Sequence, residues 1–579
     1  MLMLQFEISS VSIAPPPAQR CREQKVRENT KRWQRFWQFS FSLSLSFLSL
    51  CGGSRPVLAA ERLLFSYPPF GDFSLSVDSL ERFAQEGTVT PELEFYLRRL
   101  EPQQIEQLQV WLQTRWDVSP VAMAQVTYSA FGETVLRRLG EAVRTESDLN
   151  SFHALRSALI LAAASSDGLT LASVLRQFPI DTIKIDLNLA SVAIAELSGT
   201  LGDKEAVLAV IRQQAKATSA IPLADVQKPR EPQSLGQYRW QQETISFRSP
   251  RHKTPAIADL YRPLVASPLP VLVITHGIGS DRQTFAYLAE HLASQGFFVA
   301  ILEHPESNSL KLTRFLASLD RAPNPRIFVN QPLEISALLD ELARRDRADP
   351  TLRLNLERVG VIGQSLGGYA ALVVGGAEIN EQKLRHTCKF QQSFEISFNL
   401  SQLLQCQAAS LPNLSVSLQD ERIQAVLAIN PTSSRILGEK GLSKLSIPIA
   451  IVASENDILT PIISEQIYPF TWLKTENKYL IVVEGGTHFS FIGGEGESAF
   501  PVPSPVVGPS PDRAYPYLTA LSTAFFKTHI ALETEYRTYL NQEYAASISR
   551  EPFNLHLIQS LSAEMLAEPM ADVAQLLAW

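Results

Sequence analysis

Arg358-Val359-Gly360-Val361-Ile362-Gly363-Gln364-Ser365-Leu366-Gly367-Gly368-Tyr369-Ala370-Ala371-Leu372-Val373-Val374 decides the fold. Arg358–Ile362 is a β-rich run, and Tyr369–Val374 is an Ala-rich helical stretch. Between them lies a Gly-x-Ser-x-Gly turn. A strand that turns sharply into a helix around a serine is the nucleophile elbow. The small neighbours let the backbone take a strained conformation that presents the hydroxyl at the end of a sheet. Working outward, Pro270–Thr275, Phe297–Leu302, Ala425–Ile429, Ile447–Ala453 and Tyr479–Val483 read as further buried strands. Amphipathic stretches separate them, such as Phe285, Leu288, Ala289 and Leu292 on one helical face. Strands alternating with helices predict an α/β domain over residues 237–540, a mostly parallel sheet with helices on both faces. Trp240–Tyr261 reads as an antiparallel hairpin leading into it. Residues 380–423 form an insertion of weak periodicity, and Phe500–Pro516 is Pro-rich; either could border the site.

A nucleophilic serine needs a base, and the base an orienting acid, in the chain order Ser, acid, His. His488 lies in Gly485-Gly486-Thr487-His488-Phe489, just past a strand. Asp457 ends Glu455-Asn456-Asp457 after the preceding strand, with Glu455 as a rival acid. His276-Gly277-Ile278-Gly279 follows the strand expected beside the nucleophile strand, so the backbone N–H groups of Ile278 and Leu366 are the expected oxyanion donors. His276 and His304 are read as bracing residues. The chemistry expected of Ser365, Asp457 and His488 requires no metal or organic cofactor.

These residues carry a resemblance. Residues 235–540 resemble α/β-hydrolases of the platelet-activating-factor acetylhydrolase and dienelactone hydrolase type. The resemblance rests on Thr275-His276-Gly277-Ile278-Gly279, Gly363-Gln364-Ser365-Leu366-Gly367-Gly368, Asp457 and His488. With the segment near residues 61–200, including Phe73-Ser74-Leu75-Ser76-Val77-Asp78-Ser79-Leu80, the chain is similar to a cyanobacterial-type hydrolase family whose N-terminal domain has no assigned function. The resemblance implies an α/β-hydrolase fold and serine-esterase chemistry. The chain departs from it at two points. In the acetylhydrolase the acid follows the strand after the nucleophile helix, where this chain has Ile429-Asn430-Pro431-Thr432 and no carboxylate, so the acid is expected one strand later. The dienelactone type uses Cys where this chain has Ser365.

The rest of the chain bounds the reading. With 579 residues and about 150 per domain, two to four units are expected. Residues 1–60 carry eight basic side chains (Arg20, Arg22, Lys25, Arg27, Lys31, Arg32, Arg35, Arg55) against Glu7, Glu23 and Glu28, which leaves −12 of the net −7 charge on the remainder. A body that acidic lacks the cationic footprint of nucleic-acid binding. Lys31-Arg32-Trp33-Gln34-Arg35 followed by uncharged Phe36–Cys51 reads as a signal peptide within residues 1–60, cleaved after Ala59 or Ala60. The uncharged run falls short of the roughly 20 residues a membrane span needs; retention would instead make it an anchor. Export by the general secretory route, to a periplasmic or other extracytoplasmic compartment, is expected.

Residues 61–220 read as a small all-α domain, with Thr90-Pro91 and Ser119-Pro120 as helix starts. Residues 221–236 read as a linker and 541–579 as a helical tail. After cleavage, Cys388 and Cys406 would be the only thiols; a bridge closing a loop of about 18 residues is expected in that compartment, against two free thiols. The expected function is an exported serine hydrolase acting on a lipid or small acyl ester, with no nucleic-acid partner and with membrane-surface association as an option. A serine peptidase on the same fold and a catalytically idle binding protein are the competing readings.

Overall fold

The computed structural model describes residues 59–67, 71–197, 204–219, 229–249, 255–266, 268–390, 398–414, 416–493 and 502–567. The expected signal segment lies outside them, apart from Ala59 and Ala60.

The N-terminal region is not all-helical. Strands β1 (Arg62–Tyr67), β2 (Gly71–Ser76), β3 (Val143–Thr145) and β4 (Thr182–Asp186) form a sheet in the order β2-β1-β4-β3. β1 runs antiparallel to β2 and parallel to β4, and β3 is antiparallel to β4. The physical reason is a period of two that short segments hide in a helical background. Phe73-Ser74-Leu75-Ser76 and Ile183-Lys184-Ile185 alternate apolar and polar residues, and Leu63, Leu75 and Ile183 are buried in one core with Phe83, Leu93 and Phe152 from the surrounding helices. The two Pro-led helices begin where expected: Thr90 accepts from Leu93 N–H ahead of Pro91–Leu97, and Ser119 accepts from Ala122 N–H ahead of Pro120–Tyr128.

Among the described residues, nine strands form the large sheet: β5 (Trp240–Phe247), β6 (Ala256–Pro263), β7 (Leu269–Thr275), β8 (Phe298–Glu303), β9 (Leu354–Gln364), β10 (Ile423–Ile429), β11 (Ile449–Ser454), β12 (Lys478–Glu484) and β13 (Asn554–Ile558). Their order is β13-β12-β11-β10-β9-β7-β8-β6-β5. The six strands from β12 to β8 are parallel; β5 and β6 form the expected antiparallel hairpin at one edge, and β13 is antiparallel at the other.

Alternation along the strands builds two cores. Val271 and Val273 of β7 pack on one face with the helices Ile327–Ala348 and Leu366–Val374. Leu272 and Ile274 pack on the other with Ala286–Ser294 and Tyr515–His529. Each fully buried aliphatic side chain contributes about 2 kcal/mol of transfer free energy. This is a mixed α/β fold consistent with an α/β-hydrolase.

Two boundaries differ from the sequence reading. The helix Lys204–Ser219, placed with the N-terminal domain by its position before the linker, buries Val207, Leu208, Ile211 and Ala215 in the core of the large sheet. The tail expected to be helical supplies β13 after the helix Gln542–Ile548; Leu555, Leu557 and Ile558 bury there because β12 offers an open edge.

Candidate active site

Ser365 stands at the C-terminal end of β9 and caps the helix Leu366–Val374 with φ +57° and ψ −120°. A side chain is rarely held in that region, and the surroundings that enforce it are glycines. A β-carbon at Gly363 would lie 2.1 Å from the Gly367 carbonyl oxygen, and one at Gly367 would lie 2.4 Å from that of Thr275. The turn is tied down from below: Ser365 N–H donates to Ile429 O at 2.9 Å, and Tyr369 N–H to Ser365 O at 3.1 Å. The Ser365 side chain remains partly exposed while Gln364 and Leu366 on either side are buried.

Asp457 and His488 meet. His488 Nδ1 lies 2.6 Å from Asp457 Oδ2, with both side chains buried. Asp457 is held from its other sides. Its Oδ1 accepts from Leu459 N–H at 2.9 Å and Thr460 N–H at 2.7 Å, and Thr460 Oγ1 lies 2.6 Å from its Oδ2. The rival Glu455 is used elsewhere: it accepts from Gly485 N–H at 2.8 Å and pairs with Lys204 at 3.4 Å. The acetylhydrolase acid position after β10 holds Asn430, fully buried, whose side chain accepts from Ser454 N–H at 2.9 Å and donates to Ser454 Oγ at 3.1 Å. That amide clasps the ends of β10 and β11, while Asp457 one strand on reaches the histidine.

With Nδ1–H donated to Asp457, His488 Nε2 carries the lone pair. In this structure it faces the Gln364 amide nitrogen at 3.0 Å. From sequence alone Gln364 had no role assigned, and Thr460 was not singled out. The Asp-x-x-Thr spacing, which allows an acid to bond the backbone two and three residues on, was the available signal for Thr460.

The loop after β7 presses against Ser365. A β-carbon at Gly277 would lie 2.9 Å from Ser365 Cβ and 2.8 Å from Gln364 Oε1. Gly279 N–H is taken by Ser307 O at 2.8 Å. Among the described residues, the N–H groups of Ile278 and Leu366 donate to no other protein group.

Behind the loop, His276 Nδ1 bonds Gly277 O at 2.8 Å and its Nε2 accepts from His304 N–H at 3.1 Å. Burial, with His304 beside it, holds the His276 imidazole well below its ordinary pKa, so it braces the loop as a neutral ring. His304 in turn lies 2.6 Å from Thr275 Oγ1 and 2.5 Å from Glu334 Oε2.

The insertion and the Pro-rich stretch both border this region. Cys388 and Cys406 form a disulfide between the helices Glu381–Phe390 and Leu400–Ala408. Gln405 of the second helix donates to the buried Glu465, which also accepts from Ser433 and Ser434 just beyond β10. Thr487, beside His488, donates to Val507 O at 2.6 Å. Among the described residues, no group of three or more His, Cys, Asp and Glu side chains is placed to hold a metal ion.

No curated protein matches this chain. Two family models do, and neither matched stretch reaches Ser365, Asp457 or His488. Residues 59–186 match one described as alpha/beta hydrolase of unknown function (DUF1400), and residues 231–334, which include β5 to β8 and the loop at Ile278, match platelet-activating factor acetylhydrolase, isoform II. The chain is thus similar to DUF1400 alpha/beta hydrolases over residues 59–186 and to platelet-activating factor acetylhydrolase, isoform II, over residues 231–334.

Proposed function

We propose that the protein is a serine hydrolase of carboxylic esters, with Ser365 as nucleophile, His488 as general base and Asp457 as orienting acid. The observation that carries this reading is the 2.6 Å contact between His488 Nδ1 and Asp457 Oδ2 beside an elbow serine at φ +57°. Ser365 Oγ attacks the acyl carbonyl as His488 Nε2 takes its proton. Asp457 keeps the imidazole in the Nδ1–H tautomer, and the N–H groups of Ile278 and Leu366 receive the oxyanion. The protonated imidazole hands its proton to the departing alkoxide, and water then releases the acyl group by the same route. The similarity to the acetylhydrolase family supports an ester as substrate, of lipid or small acyl type.

For the proton to leave Ser365, the Gln364 amide must yield the lone pair it faces here. The geometry supports a resting arrangement in which the base is occupied until the hydroxyl competes for it.

A fluorophosphonate probe tests the assignment. It should modify Ser365 alone, and Ser365→Ala should abolish labelling and nearly all ester turnover, leaving about 10³–10⁴ of acceleration over water. Modification of another residue, or full turnover in Ser365→Ala, would remove Ser365 from the role.

We also propose export to an oxidising compartment, which the Cys388–Cys406 bridge supports. Ala60 packs in the N-terminal core with Leu63 and Phe83, which favours cleavage after Ala59 over cleavage after Ala60.

A further inference from the structure

The loop that presses on Ser365 does not stand alone. Its far end is hydrogen-bonded to the start of the helix Ser309–Leu316: Gly279 N–H donates to Ser307 O at 2.8 Å, Ser309 N–H to Ser280 O at 2.9 Å, and Ser309 Oγ to Asp281 Oδ2 at 2.9 Å. Leu312 of that helix lies against Gly279 so closely that a β-carbon there would sit 2.8 Å from Leu312 Cδ2.

The same apolar face of the helix, carrying Leu312, Phe315 and Leu316, packs on the N-terminal domain. Phe315 and Leu316 are buried in one cluster with Val118, Ala122, Met123 and Leu169. Gln125 Nε2 donates to Ser318 Oγ at 3.0 Å just past the helix end. The helix has only 8 residues, too short to hold its own position without packing. Its apolar partners at this end come from the domain to which sequence reasoning gave no task.

We propose that the N-terminal domain sets the oxyanion loop: by burying Phe315 and Leu316 it fixes the helix Ser309–Leu316, and the helix in turn fixes Ile278 and Gly279 over Ser365. The domain residues are positioning residues. They touch neither substrate nor reacting atoms. The inference rests on Ser365 as the nucleophile and Ile278 N–H as an oxyanion donor. Because a negative oxygen exists only in the transition state, loosening this linkage lowers kcat and leaves KM nearly unchanged. A change that merely destabilised the fold would reduce the number of working sites without changing the rate at each one.

The test is kcat per site in the full-length protein, with sites counted by titration of Ser365 with the fluorophosphonate probe. Phe315→Ala and the milder Met123→Ala approach the contact from its two sides. Phe315→Ala should lower kcat per titrated site about tenfold and Met123→Ala about threefold, both with KM within twofold of wild type. Phe315→Leu should recover most of the loss. Val121→Ala, on the exposed face of the same domain helix, should change nothing. An unchanged kcat per site in either alanine variant, or a loss confined to KM, would overturn the proposal while leaving the nucleophile in place. A wild-type protein that is not labelled at Ser365 would overturn the reading of the site itself, and this inference with it.

Discussion

Asp457 and Glu455 stand two residues apart, and their surroundings decide which one reaches His488. Asp457 reaches His488, whereas both oxygens of Glu455 serve the backbone and Lys204. Asp457→Asn should therefore cut turnover by up to about 10⁴ with the fold intact, because the imidazole loses the partner that selects its tautomer. Glu455→Gln should cost less than about tenfold. Steady-state kinetics on both variants decide it, and reversed magnitudes would move the acid to Glu455.

Gln364 gives a second prediction at this scale. A net hydrogen bond of about 1 kcal/mol to the unreactive base corresponds to roughly fivefold in rate. Gln364→Met, which keeps the volume and removes the donor, should raise the rate constant for fluorophosphonate labelling by about that factor at fixed pH. Slower labelling would mean that the amide aligns His488 and does not compete for it. The strand-end positions of Ser365, Asp457 and His488 were legible because each sits where a strand meets a turn, a feature written in local sequence. The roles of Gln364, Thr460 and Asn430 depend on where one amide or hydroxyl points after the loops have met, and no local pattern carries that.

At the scale of elements, Glu465 is the point where the insertion meets the sheet. Its Oε2 accepts from Ser433 N–H at 2.8 Å and Ser434 N–H at 2.9 Å, and its Oε1 from Ser434 Oγ at 2.7 Å and Gln405 Nε2 at 3.1 Å. Burial raises its pKa despite these donors. A carboxyl raised on folding stabilises most below its unfolded value, and that contribution is lost as pH rises through the folded value. Glu465→Gln removes two acceptor contacts, so it should be less stable than wild type by about 1–3 kcal/mol in acid. The gap should narrow as pH rises, because only the wild type carries the buried charge. Thermal melts from pH 4 to 8 measure it; a constant gap would show that Glu465 does not titrate there. The parallel strands of the large sheet were legible as continuous apolar runs bounded by turns. β2, β4 and β13 were not, because their identity depends on finding an open edge to pair with.

For the whole molecule, export and the disulfide make one joint prediction. Protein recovered from the extracytoplasmic fraction should begin at Ala60, and Cys388 and Cys406 should resist alkylation until reduced. Intact-mass measurement before and after reduction reads both. A chain retaining residues 1–59 would count against cleavage and for an anchor, and two cysteines alkylated without reduction would count against the oxidising compartment. The alternation of strands and helices that builds the large sheet was readable from periodicity. The attachment of Lys204–Ser219 to the large sheet was not, because its apolar face suits either neighbour equally well.

That helix also determines the order of assembly. Arg212 bonds Glu484 at the end of β12 at 2.6 Å, His556 of β13 reaches the same carboxylate at 3.1 Å, and the helix core joins Ile558 and Leu561. The first helix of the hydrolase unit therefore waits for a partner made some 340 residues later, and contacts of such long range form late and slowly. On the proposed export route, His488 and the strand before it follow Ser365 through the membrane, so the proposed nucleophile would be without its proposed base until they arrive. If the protein is exported as proposed and Ser365 is its nucleophile, activity is expected only once the C-terminal strand has closed the sheet.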